Sequence, residues 1–172
     1  MIHQIQVKYD AAADRLLMQV RTRADELFAI WLTRRMLQRL WPPFQQLGAR
    51  VALSRARPDA VLLPEAQAML ADAARQRSLR HADFTQQFVD ARAHQPLGPQ
   101  PLLATEVELQ ADAKGGLRMK ISESQGRQIT LQFNDELHAA LTRLIEQALA
   151  AADWGLPLPV AAVPDAPPPV LN

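Results

Sequence analysis

The chain has 172 residues and a formal net charge of +1, and its 22% charged and 48% hydrophobic residues are typical of a soluble globular protein. The absence of cysteine excludes disulfides, thiolate metal sites, iron–sulfur clusters and cysteine nucleophiles. No basic segment followed by an apolar run opens the sequence, and no stretch approaches the roughly 18 apolar residues of a membrane-spanning helix, so we expect a cytoplasmic protein that does not enter a membrane.

Three short segments of alternating apolar and polar residues open the chain, and a period of two is typical of half-buried β-strands. Their apolar positions are Ile5, Val7 and Tyr9, then Leu16, Met18 and Val20, then Phe28, Ile30 and Leu32. Thr33 stands at a helix N-cap position. Apolar residues at helical spacing follow it, namely Met36, Leu37, Leu40 and Phe44. The pattern predicts three strands leading into an amphipathic helix over residues 1–47.

Pro42 and Pro43 lie inside this predicted helix. Proline has no backbone N–H, and its ring clashes with the preceding helical turn. We therefore expect the helix to end or kink near Arg39–Trp41, with one further turn through Phe44–Leu47 before Gly48.

Residues 48–101 are predicted to form a mostly helical connector. Pro64 suits the first position of a helix, and Glu65–Leu79 has helical spacing. A second short apolar segment follows, with Phe84, Phe88 and Val89. It forms either a helical turn or an extended stretch that lies on the body of the protein.

The order of three strands and a helix returns over residues 102–153. The strand positions are Val107, Leu109 and Ala111, then Leu117, Met119 and Ile121, then Ile129, Leu131 and Phe133. Asn134 is the N-cap candidate, and Asp135 and Glu136 lie in the first helical turn, where acidic side chains interact favourably with the helix dipole. The proline-rich segment 154–172 is expected to be a flexible tail outside the fold.

The two units align without a gap at an offset of 101 residues from Leu16 and Leu117 onward, and a one-residue difference in the first hairpin matches Val7 to Val107. Chance alternation could imitate the strands, but it would less easily place the cap and helix in the same register. We therefore predict an α+β fold of two βββα units, an internal structural repeat, joined by the connector and packed as one domain over residues 1–153.

Few residues could carry chemistry. None of the four histidines belongs to a metal-binding pair, and no nucleophile elbow, P-loop or dinucleotide-binding motif is present. Glu106 and Glu108 face the same side of a strand, but no base or metal motif accompanies them. The sequence predicts no enzymatic activity, no metal and no cofactor.

Charge divides the chain unevenly. Residues 1–57 carry ten Lys/Arg against four Asp/Glu, whereas residues 104–172 carry five against nine. The basic half either pairs with the acidic half within the chain, or drives head-to-tail self-association, or forms a solvated face, or binds an anionic partner. The candidates for binding an anion or nucleic acid are Arg21, Arg23, Arg34, Arg35, Arg39 and Arg50.

The third strand of the first unit is apolar on both faces, because Leu27, Ala29 and Trp31 alternate with its core residues. A strand of this kind is covered on both sides. The cover is either the connector or another protein, since an exposed tryptophan-bearing patch marks an interface. The candidates for binding a partner are Leu27, Ala29, Trp31, Trp41, Phe84 and Phe88.

These observations predict a non-enzymatic interaction or assembly protein, a small subunit or adaptor of a bacterial-type complex that binds another protein or a second copy of itself through the first unit. The alternative is a single-stranded nucleic-acid-binding protein. The tandem sheet-plus-helix plan resembles the Whirly and Pur single-strand-binding families, whose repeats have an additional strand, and that resemblance implies nucleic-acid binding. The plan also resembles the head domains of the XRCC-four/centriolar scaffold superfamily, which implies assembly.

Overall fold

A computed structural model of the chain describes residues 1–56, 64–81, 88–89, 93–111 and 116–156. This part of the chain is a mixed α+β domain with seven strands in two sheets and three helices. The elements are β1 Ile2–Asp10, β2 Arg15–Thr22, β3 Leu27–Thr33, α1 Arg34–Ala56, α2 Pro64–His81, β4 Leu102–Leu103, β5 Glu106–Ala111, β6 Leu117–Ser122, β7 Gln128–Phe133 and α3 Asp135–Ala152.

The first sheet has the order β1-β2-β3-β4, with antiparallel pairing from β1 to β3. The predicted alternation is confirmed, because Met18 on β2 lies between Val7 and Ile30 and all three are buried. Strand β4 was not foreseen. It opens the segment 102–153, directly after the connector, and pairs parallel with β3, so that Leu102 lies beside Ile30 in the core.

The second sheet is a meander with the order β5-β6-β7, as the sequence pattern indicates. Met119 lies opposite Leu109 in β5 and Leu131 in β7. The residue opposite Met18 in the first sheet is Val7. Val7 therefore corresponds to Leu109, and the predicted match of Val7 to Val107 is wrong, because the first hairpin is longer by one residue rather than shorter.

Both predicted helix N-caps are confirmed. The Thr33 hydroxyl accepts a hydrogen bond from the Met36 amide at 3.2 Å, and the Asn134 side-chain oxygen accepts one from the Leu137 amide at 2.9 Å. Each cap satisfies an amide that has no partner within the helix. The sequence therefore fixes where α1 and α3 begin.

Helix α1 was predicted to end or kink near Arg39–Trp41 and to stop before Gly48. It instead continues through both prolines to Ala56. A proline inside a helix costs about 3 kcal/mol. Trp41 and Phe44 are each 1% exposed, and burying a large apolar side chain stabilises by about 1.5–3 kcal/mol. Burial of both side chains, about 3–6 kcal/mol, is comparable with the roughly 6 kcal/mol that Pro42 and Pro43 cost together, so core packing offsets most of the penalty for continuing the helix.

Each long helix packs on the sheet of the other half of the chain. Helix α3 lies against β1, whereas α1 lies against β5 and β6, and α2 contacts both helices. The buried residues of both sheets consequently belong to a single core cluster. The crossing of the helices makes the two halves one domain, with the outward faces of the sheets at its surface.

Candidate interaction surfaces

The face of the first sheet that points away from the core has an apolar centre. Leu17 on β2 lies opposite Trp31 on β3, and Trp31 lies beside Leu103 on β4. Ala29 follows on the same face, and all four side chains are partly exposed. We call these four residues the apolar patch.

The corresponding face of the second sheet is polar. Arg118, Thr130 and Gln132 stand there at the offset of 101 residues from Leu17, Ala29 and Trp31, and all three are exposed. The strand pairs β2–β3 and β6–β7, which have the same register, therefore present an apolar and a polar outer face respectively.

The connector covers one end of the apolar face. The Leu27 amide donates to the His94 carbonyl at 2.7 Å, and Leu27 is only 5% exposed. The Val89 carbonyl accepts a hydrogen bond from Arg21 at 2.5 Å, and the Val89 amide donates to the Gln4 side chain at 3.4 Å. The connector thus packs beside Leu27 at the start of β3, while the apolar patch lies further along that strand.

The remaining partner candidates are placed differently. Phe88 is partly buried, and Phe84 lies outside the described residues. Trp41 is 1% exposed and stacks on Phe44 with 6.2 Å between the ring centroids, because the unbroken helix turns it inward. Trp41 therefore belongs to the core rather than to a surface.

Two of the anion-binding candidates line a wide groove of about 880 Å³ beside the connector. Arg21 forms an ion pair with Asp25 there, and its Nε donates a hydrogen bond to the Asp25 carboxylate at 3.0 Å. Arg23 is exposed. His3 completes the basic lining. An acidic side chain already neutralises part of this groove, which limits its attraction for anions.

The other four candidates lie on α1, which contains five arginines and no acidic residue. Arg34, Arg35, Arg39 and Arg50 are all exposed. Arg34 is close enough to Asp14 to help lower the pKa of that carboxyl, after the larger effect of its hydrogen bonds. The structure brings Arg35, Arg39 and Arg50 to the outer side of the helix.

A cluster of polar contacts that the sequence pattern did not predict joins Trp154, which follows α3, to the first hairpin. The Asp14 carboxylate accepts hydrogen bonds from the Trp154 indole at 2.7 Å and from the Tyr9 hydroxyl at 3.0 Å, and these bonds lower its pKa. The bond to Asp14 also raises the pKa of Tyr9. Trp154 is 5% exposed and meets the Tyr9 ring edge-on, so it packs against the first sheet directly after α3. The only sequence signal for this contact is the presence of the isolated aromatic residues Tyr9 and Trp154.

A histidine marks the crossing of α1 and α3. The His138 ring lies 4.5 Å from the Phe44 ring, and its Nε2 donates to the Phe44 carbonyl at 3.2 Å. A Cβ atom on Gly48 would stand 1.9 Å from the ring, so glycine is needed there for close approach. Burial lowers the pKa of His138, against the opposing effect of the carbonyl bond.

The carboxylates of the second sheet are arranged as ordinary surface groups. Glu108 pairs with Lys120 at 3.0 Å, and Glu106 is exposed on the same face. The described residues contain no group of three or more side chains that could hold a metal ion. None of the helices in that part of the chain is long and apolar enough to cross a membrane.

Comparison with known proteins gives no relative, since no family model, curated protein or solved structure matches the chain. The outline resemblances to single-strand-binding and scaffold families gain no support from this comparison.

Proposed function

We propose that the protein is a non-enzymatic interaction or assembly protein, acting as a small subunit or adaptor of a bacterial-type complex through its first sheet-plus-helix unit. The apolar patch carries this proposal. A partly exposed tryptophan between two leucines buries substantial apolar area when a partner covers it, and tryptophan is enriched among the residues that dominate binding energy.

The surroundings of the patch indicate the chemistry of its partner. Lys8 lies opposite Leu17 on the same face and is exposed, whereas Arg15, the next residue of β2 on that face, lies opposite Asp10. A partner with an apolar anchor and an acidic rim would complement both features. The partner we propose is therefore a protein surface of that composition.

The second sheet supplies a matched control for this proposal. Trp31→Gln gives the first sheet the residue found at the corresponding position 132, and Leu17→Arg does the same for position 118. Gln132→Ala changes the second sheet at the equivalent site. All three positions are at the surface, so the variants are expected to fold.

The experiment combines chromatography with light scattering and affinity capture from the native cell. We expect the wild type either to exceed its 19.2 kDa monomer mass or to retain a partner identified by mass spectrometry. Trp31→Gln and Leu17→Arg should abolish that association, whereas Gln132→Ala should keep it. A strict monomer without a retained partner, or equal retention by all variants, would contradict the proposal.

We also propose that the two units are copies of one structural repeat. Ile30 lies opposite Met18 in the first sheet and Leu131 lies opposite Met119 in the second, an offset of 101 residues in both members. The two N-caps differ by the same offset. Homologous sequences whose halves align with each other no better than shuffled sequences would argue against the repeat.

A further inference from the structure

The outer side of α1 carries a row of arginines separate from the apolar patch. Arg35, Arg39 and Arg50 are exposed and separated by about one and three helical turns, which puts them on one side of the helix. The row spans about 22 Å at the rise of an α-helix. Pro42, Pro43 and Gln46 lie exposed between the arginines. We call Arg35, Arg39 and Arg50 the arginine row.

The arginine row forms no salt bridge with the described part of the chain. Other arginines are paired there, since Arg75 meets Glu146 at 2.7 Å and Arg127 meets Glu123 at 2.8 Å. The described residues offer no ion pair to the three arginines of the row. The predicted pairing of the basic half with the acidic half therefore does not extend to the row.

The start of the row also works against the helix that bears it. Arg35 lies in the first turn of α1, where the positive end of the helix dipole disfavours a cation. The second unit has Glu136 at the corresponding position, where the dipole favours it. A residue that destabilises its own helix, and that no other contact compensates, is characteristic of a functional site. A bound anion would reverse the unfavourable interaction.

We propose that the arginine row binds the phosphate backbone of a nucleic-acid strand. The planar guanidinium forms paired hydrogen bonds with phosphate oxygens and stays charged at every physiological pH. The exposed side chains between the arginines are the two proline rings and polar residues, with no aromatic or large aliphatic side chain, whereas protein interfaces have an apolar centre that aromatic residues enrich. This composition fits a phosphate backbone better than an acidic protein surface.

Fluorescence anisotropy of the full chain with labelled single-stranded and duplex oligonucleotides tests the proposal. The variant Arg39→Glu/Arg50→Glu is compared with Arg118→Glu/Arg143→Glu, which changes two exposed arginines elsewhere and alters net charge by the same amount. Circular dichroism checks that both variants fold. The single-stranded and duplex arms identify which form of the backbone fits the row.

We expect binding at low salt that weakens as salt rises. The row variant should reduce the slope of log affinity against log salt by about 1.4 for a single strand, since each lost phosphate contact removes about 0.7. Arg35→Glu should weaken binding as well, while the control pair should bind like the wild type. A loss as large in the control pair would show that net charge alone is responsible.

Polyglutamate of equal charge serves as the competitor. We expect it to displace a duplex oligonucleotide poorly, because a duplex carries one phosphate charge per about 1.7 Å of its axis, about twice the density of carboxylates on an extended polypeptide. Equal displacement would overturn the proposal in favour of an acidic protein partner, and no oligonucleotide binding at low salt would overturn it outright. The Trp31→Gln variant should bind the oligonucleotide normally, so this inference and the proposed protein interaction can fail independently.

Discussion

The two sheets share the register of one strand pair, β2 with β3 and β6 with β7, but differ in the chemistry of their outward faces. Their core positions are apolar in both, because one face of each sheet and of each helix contributes to the same buried cluster. Their outer faces differ, with Trp31 in the first sheet where Gln132 stands in the second. The first helix carries five arginines without an acid, and α3 begins with two acids.

The shared core and the different outward faces distinguish the residues that folding requires from those that it does not constrain. A one-residue slip in a strand would move its apolar side chains to solvent, so burial holds the core pattern in both units. No such constraint acts on an outer face exposed to water. The second unit shows that the fold permits a polar face and an acidic helix start, so the apolar patch and the arginine row of the first unit are not demanded by the fold.

Trp41→Ala should cause the largest loss of stability. Trp41 is 1% exposed in the core, and replacing a buried tryptophan by alanine costs about 3–5 kcal/mol. Trp31→Ala changes a half-buried side chain on the apolar patch and should cost about 1 kcal/mol or less. Urea denaturation of both variants measures the difference. Equal losses would mean that Trp31 supports the fold rather than a partner.

Gly48→Ala should cause the next largest loss, because it introduces a Cβ that would stand 1.9 Å from the His138 ring. Overpacking costs about 1–3 kcal/mol, and the better helix propensity of alanine returns about 1 kcal/mol at most. The double variant with His138→Ala removes the obstacle. Gly48→Ala should therefore be neutral or stabilising in that background, and an undiminished loss would show that the close approach at the helix crossing is not responsible.

The sequence predicted the parts of this fold that depend on local pattern. Alternation located six of the seven strands, and side chains such as Thr33 and Asn134 marked the helix starts, because a cap acts within one turn. The continuation of α1 through its prolines could not be predicted, since it depends on burying Trp41 against residues far along the chain. The two-residue strand β4 is likewise made by its parallel partner rather than by its own sequence.

The candidate surfaces were predictable to a similar extent. The alternation placed Trp31 on an outer face correctly, because a strand has only two faces. Trp41 falls on the same helical stripe as Leu37 and Phe44, so helical spacing would have placed it in the core if the helix had been expected to continue through the prolines. The cluster of Asp14 with Trp154 joins residues 140 positions apart, and no local pattern encodes such a contact.

His138 should make stability depend on pH near neutrality. Its pKa is lowered by burial, so the folded state favours the neutral ring and the unfolded chain binds a proton more readily, at about pH 6.5. Its contribution to stability is complete above that pH and is lost as pH falls through the lowered pKa. Asp135 on α3 raises the pKa of His138, and Arg75 on α2 lowers it.

Urea midpoints measured between about pH 7.5 and pH 5 should therefore fall toward acid, above the range in which carboxylates titrate. His138→Gln should remove most of the dependence, while His3→Gln at an exposed position should retain it. A wild-type midpoint that stays level over this interval would contradict the assignment of a neutral ring to the helix crossing.

Exchanging the charges at the starts of α1 and α3 should produce the smallest change in stability, and it compares the two helices directly. Arg35→Glu gives α1 the charge that Glu136 gives α3, and it should raise stability by about 0.3–1 kcal/mol at low salt. Glu136→Arg should lower stability by a similar amount. Thermal unfolding in low and high salt measures both, because screening should shrink the two effects together. If Arg35→Glu destabilised instead, Arg35 would have a structural role in the fold, and the arginine row would lose the argument that its position opposes stability.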